Sequence, residues 1–551
     1  MEGIKVKKRI ALIIFIVSLL FIVPSYADSN TDAKLLNDFG ILSGSDKGFE
    51  LEKPLTKLQT GILLSQIIKS KNDLNYTEFL HTYKDVPKWA DKYVEFIYRK
   101  KLIPGTSINT FGINDKVSEK EFSSWLLNLL GYDYLNGDYK YENAADFAHK
   151  LGIQAQIKNK NQITRGEAAT LIISALKTKV NKENISLFDK YIPAVSEKDM
   201  HRVVKPNFYY FAENDKFVFI DGTRYYYLLN KKTDKKKVIK ELNSGFNNSS
   251  YHQIIYSYLS DNFLYFNEAQ TNKLYRMDIE NNKFETVGEY SNYILTYGNY
   301  GYYLTSRGSY YSEGIKTTIY RYNLLTKNST ALLDIDGAFY PEDVSFYENK
   351  MFFTPKTYNQ NEPYRVRDDN FEQTLCYVDL ETLELFSIKK AVGIDYVINN
   401  NKVYFVERFC DKPYTYISKY SEEPDPSIYF NFSCYDLKNN DTKIISSRSM
   451  INYEITGHVP LFFIDADDKY YYEMMRLDEA DNTPTGSYYY DYIVKTDIKT
   501  GEQTCYPYIK IGSVWERIAS EDYIFLRIAV GGNLQKYMLK KDMISDVELI
   551  P

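Results

Sequence analysis

The spacing of hydrophobic positions changes character twice along this chain. Residues 10–23 are an apolar run broken only by Ser18. From 28 to about 180, apolar residues recur three and four apart, as in Tyr93, Phe96 and Ile97, the period of helices with one buried face. Beyond a polar stretch the pattern becomes two-residue alternation crowded with Tyr and Phe, which predicts half-buried strands. The chain therefore divides into 1–27, a helical region at 28–180, a linker at 181–203 and a β region at 204–551.

The helical region repeats three times. The first copy runs through Phe39-Gly40-Ile41 to Leu55-Thr56-Lys57-Leu58-Gln59. The second holds Tyr83-Lys84-Asp85-Val86-Pro87, Trp89-Ala90, Gly105 and Val117-Ser118-Glu119-Lys120-Glu121. The third holds Ala144-Ala145, Leu151-Gly152-Ile153 and Ile163-Thr164-Arg165-Gly166-Glu167. In each, a first helix is expected to end near a glycine, which accepts the left-handed cap conformation. A second helix then starts at an N-cap Thr56, Ser118 or Thr164, and Glu121 and Glu167 close capping boxes. One such pair of helices cannot build a core, so three copies should stack as one domain.

These copies, and above all the Ile163–Glu167 string, resemble S-layer homology (SLH) domains. The resemblance covers roughly 150 of 551 residues. It implies a pseudo-threefold helical bundle whose grooves bind anionic cell-wall polysaccharide through the motif arginine. Arg165 matches that arginine. Lys57 replaces it in the first copy, where Gln59 also replaces the glutamate, and Glu119 reverses the charge in the second. The glycan-contact candidates are accordingly Arg165, Lys57 and Trp89, although an aromatic at position 89 also reads as core.

The β region carries its own repeat: an aromatic strand, a loop, a strand ending in Asp or Asn, a polar turn and a short strand. The marker residues are Asn230, Asp278, Asn323, Asp379, Asp436, Asp497 and Asp542, spaced 45 to 61 apart. Four strands per unit at this period predict a β-propeller, with seven units suggesting seven blades. The pattern is similar to the low-density-lipoprotein-receptor-like DUF5050 propeller and, more loosely, to TolB-like propellers. The markers read as side-chain caps of the turns that follow them, not as channel ligands. Asp465, Asp467 and Asp468 lack the glycine and distal glutamate of a calcium loop, so a solvated turn is expected there. The longest insertions, Pro355 to Gln373, Asp411 to Pro426 and Leu477 to Gly486, are placed between first and second strands and mark one face as a partner site.

Composition adds compartment and exclusions. The 54 Tyr and 31 Phe against 3 Trp suit extensive β-structure. Lys5, Lys7, Lys8 and Arg9, the apolar run, Pro24 and Ser25-Tyr26-Ala27 read as a signal peptide cut before Asp28. Removing it leaves 64 basic and 72 acidic residues, a net charge of −8 with no footprint for nucleic acid and no membrane span remaining. Four cysteines, Cys376, Cys410, Cys434 and Cys505, show no metal spacing and are expected as free thiols. Cys376 and Cys434 are taken as equivalent positions in successive units. The five histidines are scattered, with no catalytic elbow or phosphate loop, so neither enzyme activity nor a cofactor is expected. The expectation is a multidomain, secreted, wall-attached surface protein: an all-α SLH bundle on polysaccharide and an all-β propeller that binds an unknown protein or glycan. Its rivals are an extracellular propeller enzyme acting on carbohydrate or peptide, and a structural surface-layer component.

Overall fold

The computed structural model describes residues 28–68, 74–76, 78–196, 200, 211–221, 226–233, 235–238, 254–268, 273–289, 294–307, 314–358, 371–391, 393–410, 428–449, 458–483, 486–506, 514–519, 523–530, 533–541 and 543–550. The signal-peptide expectation for 1–27 lies outside them. The chain forms two compact units that part between Ile192 and Pro193. Among the described residues no helix is long and apolar enough to cross a membrane.

The first unit holds helices α1 (Ser29–Asp38), α2 (Lys57–Ile68), α3 (Asp91–Arg99), α4 (Glu119–Leu129), α5 (Ala144–Lys150), α6 (Arg165–Lys177) and α7 (Leu187–Tyr191). Capping sets where the second helix of each copy begins. Ser118 with Glu121 and Thr164 with Glu167 form reciprocal capping boxes. The first copy has one as well: Thr56 N–H donates to Gln59 Oε1 at 3.2 Å and Gln59 N–H donates to Thr56 Oγ1 at 3.3 Å. The Gln59 replacement therefore leaves the cap intact, because an amide oxygen accepts as a carboxylate does.

Two expectations change here. The first helices of the first and third copies do turn into a left-handed glycine, Gly40 (φ 75°) and Gly152 (φ 87°). In the second copy this position is Lys101 (φ 54°), not Gly105. Part of the expected linker also belongs to the helical unit. Lys179 and Ser186 bridge, α7 follows, and its Leu187 and Phe188 are fully buried, with Phe188 edge-on to Phe39 at 5.0 Å. The apolar pair in a five-residue helix is what holds 181–192 down.

The second unit is a β-propeller. Among the described residues its strands form seven antiparallel sheets, within 211–238, 254–289, 295–336, 345–391, 393–449, 458–506 and 514–550, each a meander in chain order. Pro355 interrupts one strand of the fourth sheet. Lys350–Phe353 and Lys356–Tyr358 both pair with Phe371–Asp379 in a single register, so its five pieces amount to four strands broken where proline lacks an N–H.

Aromatic and aliphatic side chains join each sheet to the next. Phe219 and Leu228 pack with Leu264 and Met277 between the first and second sheets. Asn267 Nδ2 donates to Ile294 O, and Tyr297 stacks on Phe346 at 4.7 Å. Tyr377 packs with Phe405, and Phe432 with Tyr471. Lys541 pairs with Asp465 between the sixth and seventh sheets. Val218, Ile220, Tyr227 and Leu229 of the first sheet pack on Tyr523 and Met538 of the seventh. The ring closes on itself through side chains, since each sheet is a continuous piece of chain.

The marker residues cap turns. Asn230, Asp278, Asn323, Asp379, Asp436 and Asp497 each accept, through Oδ1, the N–H groups two and three residues on. Asp542 lies outside the described residues. Measured from these markers, Cys376 stands three residues before Asp379 but Cys434 only two before Asp436. The alternation of strand side chains therefore separates them, and the expected equivalence fails. Both are free thiols. Burial pushes the Cys434 thiol up to about 11 and the Cys376 thiol higher still.

The three neighbouring aspartates diverge. Asp467 caps its turn through Lys469 and Tyr470 N–H, as expected. Asp465 is buried against Lys541, and Asp468 accepts from Lys402 Nζ at 2.6 Å and Tyr404 OH at 2.8 Å, so these two tie adjacent sheets together. The insertions also move. They join second to third strands of the fourth, fifth and sixth sheets, one strand later than expected. In the third insertion the strands Tyr470–Thr483 and Gly486–Asp497 stay paired as far as Thr483 and Gly486, while 359–370, 411–427 and 484–485 lie outside the described residues.

Lys101→Gly removes a side chain held in left-handed backbone, a conformation that costs an L-residue about 1–2 kcal/mol. The substitution should raise the stability of the helical unit by about 1 kcal/mol in chemical denaturation.

Candidate functional site

The segments that lead into α2, α4 and α6 meet in a cycle. Lys57 N–H, the first residue of α2, donates to Asp115 O of the second copy at 3.0 Å. Glu119 N–H, first in α4, donates to Lys160 O of the third at 2.9 Å. Arg165 N–H, first in α6, donates to Lys53 O of the first at 2.9 Å. Leu55, Val117 and Ile163, two residues earlier in each copy, are buried at the centre. Leu55 N–H donates to Ile163 O, and Ile163 N–H to Val117 O. The first N–H of each helix, which has no partner inside its own helix, is thus spent on the neighbouring copy.

The side chains at these three helix starts follow the same cycle but differ in what they leave free. Arg165 Nε donates to Phe49 O at 2.9 Å. Among the described residues this is the guanidinium's one hydrogen bond, and it makes no ion pair there. Its charge also contributes to holding the Glu50 carboxyl below the usual range, behind the larger effect of the Lys53 hydrogen bond. A half-exposed guanidinium at a helix start, with most of its fork unspent, can grip an anion, and the helix dipole favours that charge.

Lys57 is placed differently from the expected glycan contact. It is only 9% exposed, its Nζ donates to Thr106 Oγ1 at 3.1 Å, and it lies 5.2 Å from the Phe111 ring centre. Burial pushes its ammonium down, opposed by the carboxylates of Asp115, Glu121 and Asp85. A lysine stem long enough to reach Thr106 puts the charge between the first and second copies. Glu119 is also buried, and its Oε1 lies 3.0 Å from His149 Nε2 of α5. The carboxylate at the second helix start thus faces a side chain of the third copy. Trp89, read as core, is instead 63% exposed in the turn ahead of α3, where Ala90 takes the buried place. No hydrogen bond or ring contact links Trp89 to Arg165 or Lys57 among the described residues.

His149 and Thr106 are the site residues that motif reading misses. Neither belongs to the repeated string, and each matters only because the fold brings another copy's helix start onto it. In the second copy Asp85 anchors the same region. Burial works against its charge, yet N–H groups of Phe111, Gly112 and Ile113 at 2.7–3.1 Å hold the carboxyl below its ordinary value. Among the described residues no group of three metal-ligating side chains occurs.

Residues 82–123 match the S-layer homology domain, which points to the cell surface or cell wall. The match covers the second copy and its Glu119, not Arg165. Seventy residues are 31% identical to an endoglucanase of Bacillus sp. (strain KSM-635), covering 12% of this chain and 7% of that enzyme. Among solved structures, the tricorn protease aligns at 10% identity over 64% of this chain and 35% of its own, with a TM-score of 0.39. A puromycin-hydrolyzing peptidase of Mycobacterium tuberculosis aligns at 10% identity over 65% of this chain and 55% of its own, with a TM-score of 0.38. The β-propeller domain of the Trilobed protease from Pyrococcus furiosus aligns at 10% identity, covering 63% and 84%, with a TM-score of 0.31. The chain thus spans 7% of the curated relative and about a third to a half of the two peptidases. Likeness at this level leaves the activity of the propeller unassigned.

Restoring the family arginine at the second helix start should fail on its own. Glu119→Arg sets a cation against His149 in a buried space and should lower stability by about 1–3 kcal/mol. Adding His149→Ala should recover part of that loss in thermal or denaturant melts, a coupling that a double-mutant cycle measures.

Proposed function

We propose that the chain is a surface protein held non-covalently to cell-wall polysaccharide by its helical unit, with Arg165 as the anion-gripping contact and the propeller as a binding module. The uncommitted fork of Arg165 carries this reading. The S-layer homology match at 82–123 supports the attachment it implies. Lys57 and Glu119 are spent between copies, so one helix start, not three, presents its charge to a ligand. Each of the seven sheets is read as one blade. The second strands of the fourth, fifth and sixth sheets end, and their third strands begin, on the same side of neighbouring blades, which favours that rim for a protein or glycan partner.

Arg165→Ala removes a charge-assisted contact worth about 1.5–3 kcal/mol, so retention on purified cell walls should fall about 10- to 100-fold. Equal retention of parent and variant contradicts the assignment.

A further inference from the structure

The turn that packs on the start of α6 carries an acid of its own beside Arg165. Residues 49–53 bond to α6 at three points: Arg165 Nε donates to Phe49 O, Gly166 N–H to Leu51 O and Arg165 N–H to Lys53 O, each at 2.9 Å. A Cβ on Gly166 would stand 3.2–3.3 Å from atoms of Leu51 and Ser29, so glycine is what lets the turn seat this closely. Glu50, between the first two anchors, takes left-handed backbone at φ 51°, a conformation L-residues avoid. The turn is therefore held by its bonds to α6, and by Lys53 N–H on Glu50 O at 3.0 Å, not by backbone preference.

Glu50 follows Phe49, whose carbonyl holds Arg165 Nε. Neighbouring Cα atoms lie about 3.8 Å apart, so a glutamate stem at this position can reach the guanidinium. Its carboxylate goes elsewhere: Glu50 Oε1 lies 2.6 Å from Lys53 Nζ. The Lys53 hydrogen bond is the main cause that holds the Glu50 carboxyl below the usual range, and the charges of Lys53, Arg165 and Lys47 add to it. Arg165 thus stands in the field of an acid to which it makes no bond among the described residues. The Glu50–Lys53 pair is a weak restraint, because Lys53 is 63% exposed and a surface pair shifts an equilibrium by about fivefold at most.

The first helix start shows the outcome when an acid answers the cation. Arg165 N–H on Lys53 O has its counterpart in Lys57 N–H on Asp115 O. There the cation and the acid share Thr106, whose Oγ1 donates to Asp115 Oδ2 at 2.6 Å and accepts from Lys57 Nζ at 3.1 Å. The charge of Lys57 is spent within the chain. At Arg165 the place of Asp115 is taken by a lysine, and the acid sits three residues earlier, where that lysine holds it.

We propose that Glu50 competes with the wall anion for the Arg165 fork, and that Lys53 keeps the fork open by holding Glu50 aside. Loss of the Lys53 charge frees the Glu50 carboxylate to close on Arg165, an internal ion pair that an external anion must then displace. This inference rests on the wall-attachment reading and adds a regulation of the same site.

The test is retention of the full chain on purified Gram-positive cell walls at low salt, for Lys53→Met, Glu50→Gln and the two together, beside Arg165→Ala. Lys53→Met keeps the aliphatic stem without the charge and should lower retention about two- to fivefold. Glu50→Gln should change little while Lys53 is present, and should restore parental retention in the Lys53→Met background. A uniform effect of net charge would instead give Glu50→Gln the same gain in both backgrounds, which the double-mutant cycle separates. Equal gains, parental retention by Lys53→Met, or a loss that persists in the double variant overturns the role of Glu50 and Lys53, while a deficit in Arg165→Ala leaves the attachment standing. Parental retention by Arg165→Ala overturns both. If Lys53→Met melts early by circular dichroism, Lys53→Gln takes its place with the same outcomes.

Discussion

The helical unit depends on a cycle of backbone hydrogen bonds in which each second helix is completed by the copy that follows it around the ring. The first N–H groups of α2, α4 and α6 have no partner within their own helices. Here they go to Asp115, Lys160 and Lys53 carbonyls, around the buried trio Leu55, Val117 and Ile163. Leaving such a donor unpaired in a buried place costs about 1–3 kcal/mol, so no copy can drift without exposing its neighbour's helix start. Three short helical pairs, none able to bury a core alone, become one body.

That constraint also explains how the side chains at the helix starts could diverge. The backbone bond does not depend on which side chain sits there, so Lys57, Glu119 and Arg165 were free to take different partners. Lys57 turned to Thr106 and Glu119 to His149, both inside the bundle, while Arg165 spends only its Nε, on Phe49 O, among the described residues. The propeller follows a comparable logic with different forces. Its sheets are continuous pieces of chain, and packing of Ile220 and Leu229 on Tyr523 and Met538 closes the ring without an exchanged strand.

What could be read from the sequence was local. Capping boxes and aspartate turns link residues two or three apart, and Thr164 with Glu167 or Asp278 with Asn281 stand in plain view. The Lys57–Thr106 and Arg165–Phe49 contacts join residues 49 and 116 positions apart, and no repeat pattern announces them. Trp89 misled because aromatic residues in an amphipathic stretch usually face inward, whereas here the small Ala90 fits the close approach. Cys376 and Cys434 misled because Leu-Cys-Tyr and Ser-Cys-Tyr look alike, yet the turn aspartate that sets the register follows one residue sooner in the second. The insertions fall one strand later because a further strand, such as Gly393–Asn399 or His458–Ala466, opens the unit ahead of the aromatic strand.

Native-state hydrogen exchange at the amides of Lys57, Glu119 and Arg165 tests the cycle most directly. If the three copies depend on one another, all three amides exchange only through opening of the whole helical unit, with the same free energy as the core amides of α4 and α6. Exchange of any one of them at the rate of an open loop, while the other two stay protected, would contradict the account.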